Sequence, residues 1–393
     1  MNRFDSLRGT AFLYLLFLGS LWFLNFVGRT ILSPVLPLIE DEFVISHARA
    51  SSIFIFLSVG YGISIFFSGL LSGVFGYKKA IMVSLSVTAL MFFLIPIIKV
   101  FAALYVFSFI IGVATGIYIP AVIPLITSYY DEKIWSKTIA IHDSAASLGV
   151  FAAPLLVTFL LRFFQWRGVL CTVGFLFVLA AVILYFLFHE LKVARVTKSV
   201  FGNFIRRKSL WLLSIIWVFA ASTSIGVYYV TPLFLTKELH LDIGYANTIF
   251  GLSRLGGFVV AICSGYLVSR FSIRAIMIAI LIISGASTAF VALAGIKFIG
   301  LALFLQASFI YGFFPAGLIA ISRIFDLNVR GLATGFIFGF GVIIGWGVTP
   351  YLLGLAGDTL SFASGILMLG ILVILSSSLI LLLKELTPEE NKG

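Results

Sequence analysis

"SGLLSGVFGYKKAIM", residues 68–82, recurs later in the chain as "SGYLVSRFSIRAIM", residues 264–277, with one residue deleted near the turn. The serines that open the two stretches are separated by 196 residues. Other residues pair at nearly the same spacing: Gly149 with Gly345, Pro154 with Pro350, Pro120 with Pro315, and Pro34 with Pro232. A spacing this constant predicts two parallel repeats that divide the chain.

The composition indicates a protein whose outer surface faces lipid. Of the 393 residues 61% are hydrophobic and 10% charged, and the mean hydropathy is +1.18. The 15 acidic and 26 basic side chains are too few to cover a soluble surface. Apolar segments of about 20 residues, enough to cross a bilayer, fall at 11–37, 51–76, 80–98, 101–128, 138–161, 168–189, 210–235, 243–269, 275–294, 298–322, 331–355 and 360–383.

These segments predict an all-α polytopic membrane protein with twelve transmembrane helices in two pseudo-symmetric halves of six. One long internal connection, "HELKVARVTKSVFGNFIRRKSL" at residues 189–210, is polar and basic. It predicts an N-terminal six-helix bundle over 1–189, a cytoplasmic linker over 190–209, and a C-terminal six-helix bundle over 210–393.

The position of the basic residues gives the orientation of the chain. With the N-terminus inside, the cytoplasmic segments hold 18 Lys and Arg residues and the outer loops hold six. By the positive-inside rule, both termini are expected in the cytoplasm. The net charge of +11 is thereby explained by topology, and nucleic acid is not expected as a partner. We expect a monomer in a prokaryotic inner or plasma membrane.

The turn between the second and third helices resembles a family signature. "GLLSGVFGYKK" is similar to the corresponding loop of the major facilitator superfamily in its glycines and its terminal bases, namely Gly69, Gly73, Gly76, Lys78 and Lys79. Gly73 stands where that family usually has an aspartate. The resemblance covers essentially the whole chain and implies the fold of a secondary transporter with a gating motif at this turn. The alternative is a tight basic turn that anchors the cytoplasmic face.

Two arginines lie at membrane depth, where each is expected to cost at least ~2.5 kcal/mol. Arg29 lies eleven residues before the nearest outer acids, roughly 16 Å along a helix, which is too far for its side chain to reach the interface. It is therefore expected to face a water-filled cavity, with Asn25 on the same helix face. Arg254 shares a polar stripe with Asn247, Gly251 and Phe258. An intramembrane salt bridge is its alternative.

Neither arginine is repeated in the other half of the chain. The position equivalent to Arg29 is near Val227, where no basic residue lies, and Arg254 aligns with Ser58. The family resemblance implies that both arginines line one central cavity. Guanidinium groups bind carboxylates through two parallel hydrogen bonds and stay charged, so the pair predicts an anion site. Several polar-tipped rings also lie at membrane depth: Tyr61, Tyr118, Tyr228, Tyr229, Tyr311 and Trp346. Of these, Tyr118, Tyr228 and Trp346 are the candidate substrate contacts, with core packing as the alternative.

His142 and Asp143 lie about five residues inside the cytoplasmic end of the predicted fifth helix. Neighbouring residues on a helix point about 100° apart, so one of the two is expected to face the cavity. A partly buried carboxylate or imidazole is suited to binding and releasing a proton during transport. The alternative is a helix cap or a salt bridge to Lys133 or Lys137.

The sequence contains no nucleophile elbow, phosphate-binding loop or metal-spaced His and Cys cluster, so we expect no enzyme activity, no metal and no cofactor. The leading prediction is a secondary transporter that moves a small organic anion, a carboxylate, by alternating access in symport with protons. "NFVGRTILSPVLPLI" also resembles the first helix of organic-anion branches of the superfamily, although Gly28 stands where those branches commonly have Asp. The alternatives are proton-driven efflux of drugs or metabolites and, more remotely, a membrane sensor without transport.

Overall fold

The computed structural model describes residues 4–188, 204–257, 260 and 270–386, and within them only the backbone at 66–75, 204, 327 and 328. Three features of the sequence lie outside the described residues: most of the linker (190–203), the start of the second repeat copy (264–269), and Phe258 of the predicted polar stripe.

The described chain is almost entirely helical. Its α-helices are α1 Thr10–Thr30, α2 Leu32–Phe43, α3 His47–Ser51, α4 Ile53–Phe75, α5 Tyr77–Leu94, α6 Ala102–Gly116, α7 Tyr118–Tyr129, α8 Trp135–Leu160, α9 Trp166–Leu187, α10 Lys208–Ala221, α11 Val227–Leu233, α12 Ile243–Leu252, α13 Ile273–Leu293, α14 Gly295–Phe309, α15 Phe313–Ile324, α16 Leu327–Gly341, α17 Thr349–Thr359 and α18 Phe362–Ser376. Short 3₁₀ segments are Ile95–Ile97, Glu132–Ile134, Phe204–Arg206, Ile310–Gly312, Ser377–Leu382 and Lys384–Leu386. Three π-helical segments are Ser222–Gly226, Phe234–Glu238 and Val342–Val348.

Several of these helices follow one another without a loop and form longer membrane spans. Within the described ranges, 11 helical runs are long and apolar enough to cross a bilayer. The predicted eighth span, 243–269, is described only to Gly257 and at 260. The prediction of an all-α polytopic membrane protein is confirmed.

The chain forms two compact units. One consists of Met1–Phe43 and Phe56–Lys198, the other of Val44–Ile55 and Ser199–Gly393. The short α3 belongs to the second unit because its first two backbone N–H groups, at His47 and Ala48, donate to the Asp358 carboxylate at 2.8 and 2.9 Å. The predicted bundle boundaries at 189 and 210 stay predictions.

The sequence repeat returns as equivalent contacts inside each unit. Lys78, in the first turn of α5, donates its ammonium to the backbone oxygen of Tyr185 at 2.8 Å. Arg274, 196 residues later in the first turn of α13, donates to the backbone oxygen of Leu381. Tyr185 and Leu381 are also 196 residues apart, so each unit ties the same two helices together with a basic residue and a carbonyl.

Glycines at repeat positions allow helices to approach closely. A Cβ atom on Gly149 of α8 would lie 2.7 Å from the backbone oxygen of Phe23 in α1. One on Gly345 would lie 2.8 Å from the backbone oxygen of Val218 in α10. Both distances are shorter than carbon atoms tolerate, so only glycine fits at these two helix contacts.

Candidate functional site

Arg29 lies in the last turn of α1 and is 2% exposed. Its guanidinium carbon is 4.1 Å from the ring centre of Phe26 and 4.1 Å from that of Tyr61. Aromatic rings in this geometry stabilise a cation electrostatically. In this structure Arg29 is therefore enclosed by rings, whereas its sequence position predicts a side chain that faces water.

Trp22 lies two helical turns before Arg29, and its ring centre is 5.7 Å from the guanidinium carbon. The indole is nearly parallel to the Tyr118 ring, with centres 5.4 Å apart and an interplanar angle of 9°. It is also nearly parallel to the His142 ring, at 6.0 Å and 14°. Its Nε1–H donates to Asp143 Oδ1 at 3.3 Å. Trp22 thus contacts the predicted substrate residues Arg29 and Tyr118 and both candidate coupling residues.

Tyr118 and His142 form a buried hydrogen-bonded pair. The Tyr118 hydroxyl donates to the backbone oxygen of Leu18 at 2.8 Å and lies 3.1 Å from His142 Nε2. Because a carbonyl only accepts and the phenol has one proton, the second contact requires Nε2–H of His142 to donate to the Tyr118 oxygen. A neutral His142 then has its lone pair on Nδ1, which is buried and has no hydrogen-bond partner among the described residues.

His142 and Asp143 differ in exposure as the helix geometry predicts. His142 is fully buried, whereas Asp143 is exposed. The partner that the structure gives the Asp143 carboxylate is Trp22, from another helix, and not the lysines considered in the sequence. Asp143 is therefore the more accessible of the two titratable groups.

Asn25 belongs to the same region of α1 and is 1% exposed. Its side-chain amide donates to the backbone oxygen of Thr115 in α6 at 3.0 Å. This hydrogen bond ties the first span to the fourth, so Asn25 has a structural contact in addition to its predicted role at the substrate.

Arg254 lies two residues after the end of α12 in the second unit and is 4% exposed. Its guanidinium carbon lies 4.7 Å from the Phe250 ring centre and 5.3 Å from that of Tyr228. Two of its donor atoms, Nε and Nη2, are buried without a hydrogen-bond partner in the described parts of the chain. Asn247 is fully buried two turns earlier on the predicted stripe.

Trp346, a predicted substrate contact, is 7% exposed. It lies in the π-helical segment Val342–Val348, and its ring packs at 6.0 Å on Phe338 of the preceding α16. The π-helical turn stands just before Pro350, which has no N–H to continue the regular hydrogen-bond ladder. Directly after this turn, the Thr349 hydroxyl forms a hydrogen bond of 2.8 Å with the Ser222 hydroxyl.

The predicted gating motif spans the end of α4 and the start of α5. Gly69 and Gly73 lie in α4, and Gly76 precedes α5 with φ +87°, a conformation that favours glycine. Lys78 contacts the Tyr185 ring at 4.9 Å in addition to its backbone oxygen, and Lys79 is exposed. The contacts of this turn are those of a helix junction on the surface.

Of the rings that lie against the two arginines, sequence reasoning selected Tyr228 as a substrate contact and listed Tyr61 at membrane depth, but it did not select Trp22, Phe26 or Phe250. Trp22 and Phe26 lie seven and three residues before Arg29, and Phe250 lies four before Arg254, so helical spacing from a charge at membrane depth is a usable signal. Tyr61 lies on another helix, and nothing in its local sequence links it to Arg29. Only the packed structure brings the two together.

Comparison with known protein families gives one match across the chain. A family model described as Major Facilitator Superfamily matches residues 18–313 and 230–393. The Hexuronate transporter of Bacillus subtilis (strain 168) is 24% identical over 153 residues, which are 39% of this chain and 36% of that protein. The Uncharacterized transporter YybO of the same strain is 26% identical over 158 residues, 40% of this chain and 36% of that protein. The match therefore spans about a third of the length of these curated relatives.

Solved structures share the fold at low sequence identity. A bacterial homologue of the human lysosomal transporter Spinster, inward-facing and unoccupied, has a TM-score of 0.78 and 16% identity over 94% of this chain and 97% of its own. The nucleoside transporter NupG has a TM-score of 0.80 and 14% identity, over 94% of this chain and 99% of its own. A D-xylose-proton symporter has a TM-score of 0.74 and 13% identity, over 95% of this chain and 97% of its own.

Proposed function

The chain belongs to the major facilitator superfamily, and on that premise we propose that it is a secondary transporter that carries a small organic anion, a carboxylate, in symport with protons. Transport in this family fold proceeds by alternating access to a binding site at membrane depth. The likeness to solved transporters supports transport rather than catalysis as the activity.

The observation that carries the anion proposal is the pair of buried Arg254 donors that no described residue satisfies. A buried guanidinium with unsatisfied donors is costly, and a carboxylate can accept two parallel hydrogen bonds from it. The Phe250 and Tyr228 rings stabilise the charge but accept no such hydrogen bonds. We propose Arg254 as the principal substrate cation of the second unit, with Tyr228 and Asn247 beside it and Trp346 as a further substrate contact.

In the first unit we propose Arg29 as the corresponding cation, with Asn25 and Tyr118 as neighbours. The Phe26 and Tyr61 ring centres each lie 4.1 Å from the Arg29 guanidinium carbon, and the planar guanidinium can bind a carboxylate through two N–H donors. The rings stabilise the charge and restrict the side chain, which favours a fixed geometry for a carboxylate ligand. A lysine at either position would supply charge without this geometry.

The names of similar proteins agree with this substrate class and this coupling. One relative is named as a hexuronate transporter, and a hexuronate is a sugar with a carboxylate. One solved structure with this fold is named as a proton symporter. For the present chain, Asp143 and His142 are the proposed proton-coupling residues, and no cofactor takes part. The basic inner segments support cytoplasmic termini in a prokaryotic plasma membrane.

Uptake into proteoliposomes with an acidic exterior tests the proposal. Glucuronate and glucose form a matched pair, because they differ at the carboxylate carbon alone; other small carboxylates extend the screen. We expect accumulation of a carboxylate that collapses with the pH gradient, no accumulation of glucose, and large losses in Arg29→Ala and Arg254→Ala. Carboxylate flux that is intact in both variants contradicts the anion proposal. Export of the screened compound against an inward proton flow would favour the efflux alternative.

A further inference from the structure

Trp22 has no assigned role in the proposed function, yet it contacts Arg29, Tyr118, His142 and Asp143. Its side chain is 4% exposed. Its ring stacks on the hydrogen-bonded Tyr118 and His142 rings. These two rings are nearly parallel to each other, with an interplanar angle of 12°. Its N–H is directed to Asp143 and its ring lies 5.7 Å from Arg29.

The environment of Asp143 favours that residue over His142 as the proton carrier. His142 is fully buried, and its Nε2–H is engaged by Tyr118. A proton added at Nδ1 would produce a buried imidazolium with no described acceptor for the new N–H, which is unfavourable. Asp143 is the more exposed of the two residues, and its carboxylate has a hydrogen-bond donor in Trp22.

We propose that Trp22 is a positioning residue whose indole N–H holds the Asp143 carboxylate in its ionised form and thereby sets the pH at which Asp143 takes up the transported proton. The inference rests on the proposed function, since it assigns the proton step of that site. In this step one proton binds a carboxylate oxygen and forms one O–H bond, and no other bond is made or broken. The hydrogen bond from Trp22 favours the charged acceptor and weakens when Asp143 becomes neutral.

Other ionisable groups lie on the helices of the first unit around α8. Tyr14 and Arg29 lie on α1, and Tyr61 lies on α4. The remaining titratable groups of these elements are Lys137 and His142 on α8 itself, Tyr118 and Tyr129 on α7, Glu132 and Lys133 in the preceding 3₁₀ turn, Glu40, Asp41 and Glu42 on α2, and Arg167, Cys171 and Tyr185 on α9. Trp22 is the hydrogen-bond donor that the structure gives Asp143, so removing it isolates that contribution.

Infrared difference spectroscopy of the protein in lipid vesicles tests this without any substrate. The carbonyl band of protonated Asp143 is assigned by its loss in Asp143→Asn. In Trp22→Phe the ring is kept and the N–H is lost, so the titration midpoint of this band should move to higher pH by about one unit. Trp217→Phe, at a buried tryptophan of the second unit, is the matched control and should leave the midpoint in place.

Trp22→Tyr is measured as well as Trp22→Phe, so that the titration can still be made if one of the two variants folds poorly. An unchanged midpoint in the folded variants overturns the proposal, as does a band that does not titrate while the protein stays folded. Where the wild type also transports, the pH profile of uptake should shift with the band, while substrate exchange at equal pH continues. Failure of transport in the wild type contradicts the proposed function alone, because the infrared titration still decides the role of Trp22.

Discussion

Glu42 and Glu238 are separated by 196 residues, and each carboxylate accepts hydrogen bonds from the start of the last helix of its own unit. Glu42 accepts from the Trp166 indole at 2.6 Å and pairs with Arg167. Glu238 accepts from the backbone N–H groups of Phe362 and Ala363. The repeat thus keeps the position of the carboxylate while the donors change from side chains to backbone.

The first prediction concerns stability. Glu238→Ala leaves two N–H groups at the first turn of α18 without their acceptor, so the free energy of unfolding should fall by about 1 to 2 kcal/mol. The thermal unfolding midpoint in detergent measures this. Thr359→Ala is the control, because the exposed Thr359 hydroxyl bonds only an oxygen of its own helix, that of Leu355. Equal midpoints in the two variants would show that the Glu238 contacts add no stability.

The membrane spans and their pairing between the two halves could be predicted from the sequence. Hydropathy and the 196-residue spacing predict the spans and their pairing, because both depend on local composition and on chain position. The surroundings of Arg29 were not predictable to the same extent. Tyr61 reaches that guanidinium from a different helix, and the hydrogen bond between Trp22 and Asp143 joins residues 121 positions apart. Such contacts depend on how the helices are rotated against one another, which a single sequence does not specify.

The second prediction concerns close packing at Gly149. A methyl group there would collide with the backbone oxygen of Phe23, so α8 and α1 would have to separate. We expect Gly149→Ala to lower the free energy of unfolding by about 1 to 3 kcal/mol. Gly335→Ala is the matched control, because a Cβ there meets no atom within 4 Å, and alanine favours a helix by about 0.5 to 1 kcal/mol. A Gly149→Ala protein as stable as Gly335→Ala would contradict the packing account.

The third prediction separates charge from geometry at Arg254. Arg254→Lys keeps a positive charge but loses the planar fork that binds a carboxylate through two hydrogen bonds. We expect the KM for the transported carboxylate to rise about tenfold, the loss of roughly 1.4 kcal/mol of binding, with a larger rise in Arg254→Ala. Concentration-dependent uptake measures both. Arg323→Lys, at an exposed arginine near the end of α15, should leave KM unchanged. If Arg254→Lys matches the wild type, charge alone is sufficient at this position.

The fourth prediction asks which titratable group drives accumulation. Asp143→Asn cannot release a proton, so it should abolish accumulation driven by a pH gradient and still permit counterflow, in which substrate exchanges for substrate without net proton movement. His142→Gln retains a side chain that can donate to Tyr118, and we expect it to slow transport while accumulation continues. Both quantities are measured in the same vesicles, with labelled substrate and with or without the gradient. Accumulation that persists in Asp143→Asn and disappears in His142→Gln would instead make the imidazole the proton carrier, at the Nδ1 atom that the buried hydrogen-bond network leaves to accept.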